Sequence, residues 1–142
     1  MKTLQHGIVV LGLAGFVSPA MSDDAVETGH RDFVQLCSPC HGLDGKGDGP
    51  AASSLKVHPA DLTRIPQRHD GSFPDELIFE TIAGLDMPGA HGTREMPVWG
   101  DVFVSEAVGD SVSLEDAMKA SDEASQRIGN LVAYIKSIQQ KP

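Results

Sequence analysis

Several things are scarce in this sequence, and each shortage narrows the reading. Its 142 residues include only two cysteines, Cys37 and Cys40. A disulfide between cysteines three apart closes a very small loop and stabilises little. Nor can two cysteines supply the four ligands that a structural zinc site normally needs. Aromatic residues are few (five Phe, one Tyr, one Trp), so the side chains offer a small domain little large core area. Basic residues are outnumbered, 11 Lys plus Arg against 20 Asp plus Glu, for a formal charge of −9. Such a surface repels nucleic acid and anionic membrane and suits a basic protein partner. No segment alternates apolar and polar residues well enough to read as a strand. The apolar run at 8–17 is too short to cross a bilayer comfortably as a helix.

That run fits another purpose. Lys2 is the only formal charge before Asp23, the apolar stretch follows, and Ser18, Ala20 and Ser22 come next. A weakly basic start, an apolar middle and small residues form the order of a secretory signal peptide. Cleavage after Ala20 or after Ser22 fits; the alternative is an uncleaved membrane anchor. Residues 1–22 therefore read as a signal and 23–142 as one domain. Losing Lys2 takes the formal charge from −9 to −10.

The remaining chain reads as helices joined by loops. In 24–37, Val26, Gly29, Phe33 and Leu36 lie on one face of a 3.6-residue period. Residues 42–59 are rich in glycine and loop-like, with a turn of helix at 51–55. A short helix is expected at 74–83, capped by Ser72 and ended by Gly84. Two Met-Pro pairs and three glycines make 85–100 an extended loop. Ser113 and Asp116 have capping-box spacing for a short helix at 113–118. The clearest helix is 121–139, where Ile128, Leu131, Val132, Ile135 and Ile138 form one stripe. Met118 reads as core.

The chemistry concentrates in Cys37-Ser38-Pro39-Cys40-His41. A C-x-x-C-H run reads as a c-type haem attachment site. Two thiols one helical turn apart can add to the two vinyl groups of one haem, and the adjacent His41 then projects under the iron. The rival reading is a thioredoxin-type dithiol, which would follow a strand and open a helix. Here the motif ends an amphipathic helix and enters a glycine loop. That loop, 44–49, hints at a calcium site, but Lys46 and Leu55 stand where its third and twelfth positions need carboxylates.

On these residues the sequence resembles the class I monohaem cytochromes c. Gly29 and Phe33 precede Cys37 by eight and four residues, as in that family's N-terminal helix, and Leu131 and Tyr134 match its C-terminal helix. The resemblance implies an all-α fold of three to five helices around one covalent haem, with the two terminal helices crossing closely at the glycine. It implies a sixth iron ligand from Met96, in Met96-Pro97-Val98-Trp99-Gly100, with Trp99 near the haem edge. Met87 and His91 are the alternatives, the latter giving a bis-histidine site. It also implies that the Pro59 carbonyl accepts a hydrogen bond from His41, as a metal-bound histidine usually requires. Arg64, Arg68 or Trp99 could hold the haem propionates.

The function expected from export and resemblance together is single-electron transfer in the bacterial periplasm, without catalysis. Its partners would be redox proteins with a basic docking patch. Contact with membrane would come through a partner complex or an uncleaved signal. Two other classes stay open: a haem enzyme or gas sensor with a weak sixth ligand, and a haem-free thiol oxidoreductase. The excursion at 101–123 is longer and more acidic than the family minimum.

Overall fold

The computed structural model describes residues 23–85, 96–109 and 113–141. The expected signal segment and the rival ligands Met87 and His91 lie outside these. Among the described residues every regular element is helical, so the fold is all-α. Helix α1 is Asp23–Asp32, followed without a break by a π-helical turn, Phe33–Cys37, and by α2, Ser38–His41. Three 3₁₀ turns follow at Ala52–Ser54, Leu62–Arg64 and Pro66–Arg68. Then come α3 (Asp75–Ala83), α4 (Trp99–Val108) and α5 (Leu114–Ser137). No helix among the described residues is long and apolar enough to cross a membrane.

The core forms where α1, α3 and α4 lie against α5. Phe33, Phe103, Ile128, Leu131 and Ile135 are all buried there. Helix α1 crosses α5 at Gly29, as expected. A β-carbon at Gly29 would stand 1.9 Å from the Asn130 carbonyl oxygen, so any larger residue must push the helices apart. Tyr134 covers the crossing, stacking on His30 at 4.9 Å and tilting against Phe33 at 5.0 Å between ring centroids. Arg127 ties three helices together. It forks onto Asp32 at 2.7 and 2.9 Å, reaches Glu106 at 2.7 Å, and lies 4.1 Å above the Phe103 ring. Its hydrogen bonds to Asp32, the larger influence, outweigh partial burial and raise the pKa of Arg127. A guanidinium has the planar fork this geometry needs; an ammonium does not.

Four expectations need correction. The stretch 85–100 is not loop throughout, because α4 begins at Trp99. Gly100 reads as a breaker, but here it lets α4 approach α3: a β-carbon would meet the Ala83 carbonyl oxygen at 2.6 Å. The helices expected at 113–118 and 121–139 are one helix, α5, started by Ser113 accepting the Asp116 N–H at 3.1 Å. Met118 is 63% exposed rather than core, because the buried stripe of α5 starts only at Ala120. Ser72 does not cap α3: Pro74 holds the cap position and makes no side-chain bond. Gly84 does end that helix, in the left-handed region.

Candidate functional site

The two cysteines and His41 sit at the end of the N-terminal helical segment, where it turns into the glycine loop. Backbone bonds fold that loop back onto α2. Gly47 N–H donates to the His41 carbonyl at 2.7 Å, Gly49 N–H to Cys40 at 3.1 Å and Ala51 N–H to Pro39 at 2.9 Å. The helix end therefore has its free carbonyls satisfied by the loop after it. Gly47 is needed for closeness as well as for its positive φ, since a β-carbon would stand 2.3 Å from the Pro59 carbonyl oxygen.

The acceptor for His41 is one residue beyond the expected one. His41 Nδ1 lies 3.0 Å from the Ala60 carbonyl oxygen. The Pro59 carbonyl is engaged elsewhere: it faces Gly47, and His58 Nδ1 lies 3.0 Å from it. Asp61 holds this segment in place, accepting from the Thr63 amide at 2.8 Å and the Thr63 hydroxyl at 2.6 Å. Burial would raise the Asp61 carboxyl; the Thr63 bonds, with Arg64 and Arg68 nearby, outweigh it and hold the carboxyl below its ordinary value. Gln139 then stitches the same wall to α5. Its amide donates to Leu62 and Ile135 carbonyls, both at 2.6 Å, and accepts from Ile65 N–H at 3.0 Å.

These elements enclose a cavity of about 370 Å³, within the roughly 300–1,000 Å³ usual for small-molecule and cofactor sites. Cys37, Cys40 and His41 line it from α2 and the turn before it, and Pro59 from the wall. Met96, Pro97 and Trp99 line it from the opening of α4. Apolar side chains from every neighbouring element complete it, among them Leu36, Leu62, Ile65, Ile78, Ile82 and Ile135. Besides His41, its basic side chains are Arg68, His58 and His69; Arg64, the other arginine considered, is not among the lining residues. Trp99 packs on Phe103 with ring centroids 5.8 Å apart, which fixes the start of α4 to the core.

The lining is mostly apolar and carries two thiols, an imidazole and a thioether, donors suited to covalent attachment and metal ligation. It fits a dithiol redox site poorly. Both cysteines are free thiols. Burial, and then Asp32 and Cys40, pushes the Cys37 thiol up to about 12, whereas a thiol-exchange nucleophile needs thiolate. Among the described residues no three His, Cys, Asp or Glu side chains converge as a metal cluster would. Two features escaped the sequence reading: the π turn ahead of Cys40 and the Gln139 stitch. Neither leaves a distinctive residue pattern. A scan of family models, a search of curated proteins and a search of solved structures each find no match to this chain.

Proposed function

We propose that this chain is an exported carrier of single electrons, a class I c-type cytochrome working in the periplasm. The reading rests on one observation above all: Cys37, Cys40, His41 and Met96 meet on a single apolar cavity from two separate stretches of chain. When bound there, haem supplies a one-electron iron couple. Cys37 and Cys40 each give their sulfur to one carbon of a vinyl group and their hydrogen to the other, so attachment needs no oxidant or reductant. His41 gives iron its Nε2, because Nδ1 faces the Ala60 carbonyl; a donor bond there fixes ring and tautomer. Met96 would be the second side chain to hold the iron, facing the same cavity as His41; with both side chains bound, electron exchange would need little rearrangement and would leave no site for a substrate. Most of the wall is apolar, and Arg68 is the arginine on it that could meet a propionate.

The visible spectrum of protein made alongside a haem-attachment machinery tests this. The expected result is a low-spin spectrum with a sharp reduced band. A high-spin spectrum with fast binding of added ligands would move the protein to the haem enzymes or sensors, and colourless protein to the thiol oxidoreductases.

The acidic surface belongs to the same reading. Glu115, Asp116, Asp122 and Glu123 are exposed on the first half of α5, with Asp101 and Glu106 exposed on α4. Electron carriers must meet partners often and leave quickly, and long-range attraction raises arrival rates without a large interface. The partner patch is accordingly basic. Oxidation by a cationic small-molecule oxidant should slow as salt rises, and oxidation by an anionic one should speed up, because screening shortens to about 8 Å at physiological ionic strength. Equal salt slopes for both would reduce the acidity to a solubility feature.

A further inference from the structure

The segment leading into the cysteines is one residue wider than an α-helix. Ser38 N–H bonds to the Phe33 carbonyl, five residues back, which is the π pattern. Continued, that pattern would give the Val34 carbonyl to the N–H of residue 39. Residue 39 is proline and has none. The Ser38 hydroxyl takes over, donating to the Val34 carbonyl at 2.6 Å, with Ser38 itself buried. The two unspecified positions of the C-x-x-C-H run thus act as a pair: Pro39 withholds a backbone donor and Ser38 replaces it.

We propose that Ser38 is a positioning residue, whose hydroxyl holds open the wide turn that presents Cys37 in register with Cys40 and His41. The proposal deepens the haem reading and rests on it. The ends of the segment are fixed independently. Before the turn, Gly29 locks α1 onto α5. After it, the glycine loop holds the Pro39, Cys40 and His41 carbonyls. Any change of register between these anchors must fall within 33–38. A π turn carries one extra residue, so its relaxation to α geometry turns the chain beyond it by about 100°, the angle one residue subtends. Cys37 lies inside this stretch, so its thiol moves relative to the other two groups. Serine bonding back onto a helix carbonyl can also be a local habit without consequence; the two cases differ in what happens to the thioethers.

Wild type, Ser38→Ala and Ser38→Thr are made with the haem-attachment machinery, and the acid-denatured proteins are weighed and peptide-mapped. Ser38→Ala should lower the yield of doubly attached protein roughly five- to tenfold, the worth of one net hydrogen bond. Its residual product should carry a single thioether and a reduced band shifted to longer wavelength by the unreacted vinyl group. Ser38→Thr, which keeps the hydroxyl, should restore both attachment and band position. If Ser38→Ala yields no folded protein, the double variant Ser38→Ala with Pro39→Ala decides. It returns a backbone N–H to Val34 and should recover double attachment, and its failure to do so overturns the proposal. Full double attachment and an unshifted band in Ser38→Ala also overturn it while leaving the haem reading intact. A wild type that takes no haem removes both readings.

Discussion

Replacing both Cys37 and Cys40 by alanine should abolish covalent haem altogether, so that acid and organic solvent strip all colour from the polypeptide. Wild-type protein treated in the same way should keep its colour and weigh one haem more than the bare chain. Each single replacement should leave one thioether, a lower yield and a red-shifted reduced band. The stability consequence comes from the cavity. Its walls are apolar side chains from the N-terminal segment, the 3₁₀ turns, α3 and α5, and without a bound apolar group they enclose space that core packing does not fill. With the site empty, this apolar lining would face water, and each Å² left unburied forfeits about 25 cal/mol, against a whole stability of about 5–15 kcal/mol for an ordinary domain. The double variant should therefore lose much of its helical circular dichroism or melt far below wild type, and not merely lose colour. A colourless double variant with wild-type melting would show that the cavity is self-supporting. Retained colour after acid extraction would refute attachment at these cysteines.

The parts of this site that were legible in the sequence are those encoded by local spacing. Cys37, Cys40 and His41 are fixed by a five-residue run. The α1–α5 crossing shows itself through Gly29 and Phe33 on one helix and Leu131 and Tyr134 on the other, because close approach needs a missing side chain and aromatic cover. The start of α5 was legible from Ser113 and Asp116, a local hydrogen-bond device. The failures share a different cause. Gly100 and Ser121 lower helix propensity, and tertiary contact overrides them: Gly100 sits beneath the Ala83 carbonyl, and Ser121 lies exposed between the buried Ala120 and Ala124. The slip from Pro59 to Ala60 at His41 depends on how the Pro59 carbonyl meets Gly47, a contact between residues twelve apart that no spacing rule contains. The π turn is hidden for a related reason: its one-residue offset leaves Phe33 and Leu36 on an apolar stripe that an α-helix would also have produced.

Met96→Ala should remove the sulfur-to-iron charge-transfer band, lower the reduction potential and open the iron to added ligands such as imidazole or carbon monoxide. The three residues after Met96 place it for this role. Pro97 restricts the chain, Val98 is extended, and Trp99 starts α4 against Phe103 and the core. Met96, just ahead of this anchor, lines the same cavity as His41. A thioether ligand favours the reduced iron, which is why methionine opposite histidine raises the potential. Each tenfold change in the relative affinity for the two oxidation states is worth about 59 mV for a one-electron couple. Met96→His supplies the sharper comparison. It restores two strong axial ligands, so the spectrum should return to low spin. The charge-transfer band should stay absent and the potential should stay below wild type, because imidazole does not favour reduced iron as sulfur does. Met87→Ala should leave band and potential unchanged. Loss of the band in Met87→Ala, with Met96→Ala unaffected, would transfer the role to Met87. A wild type without the band, and with a low potential that only His91→Ala disturbs, would establish bis-histidine ligation instead.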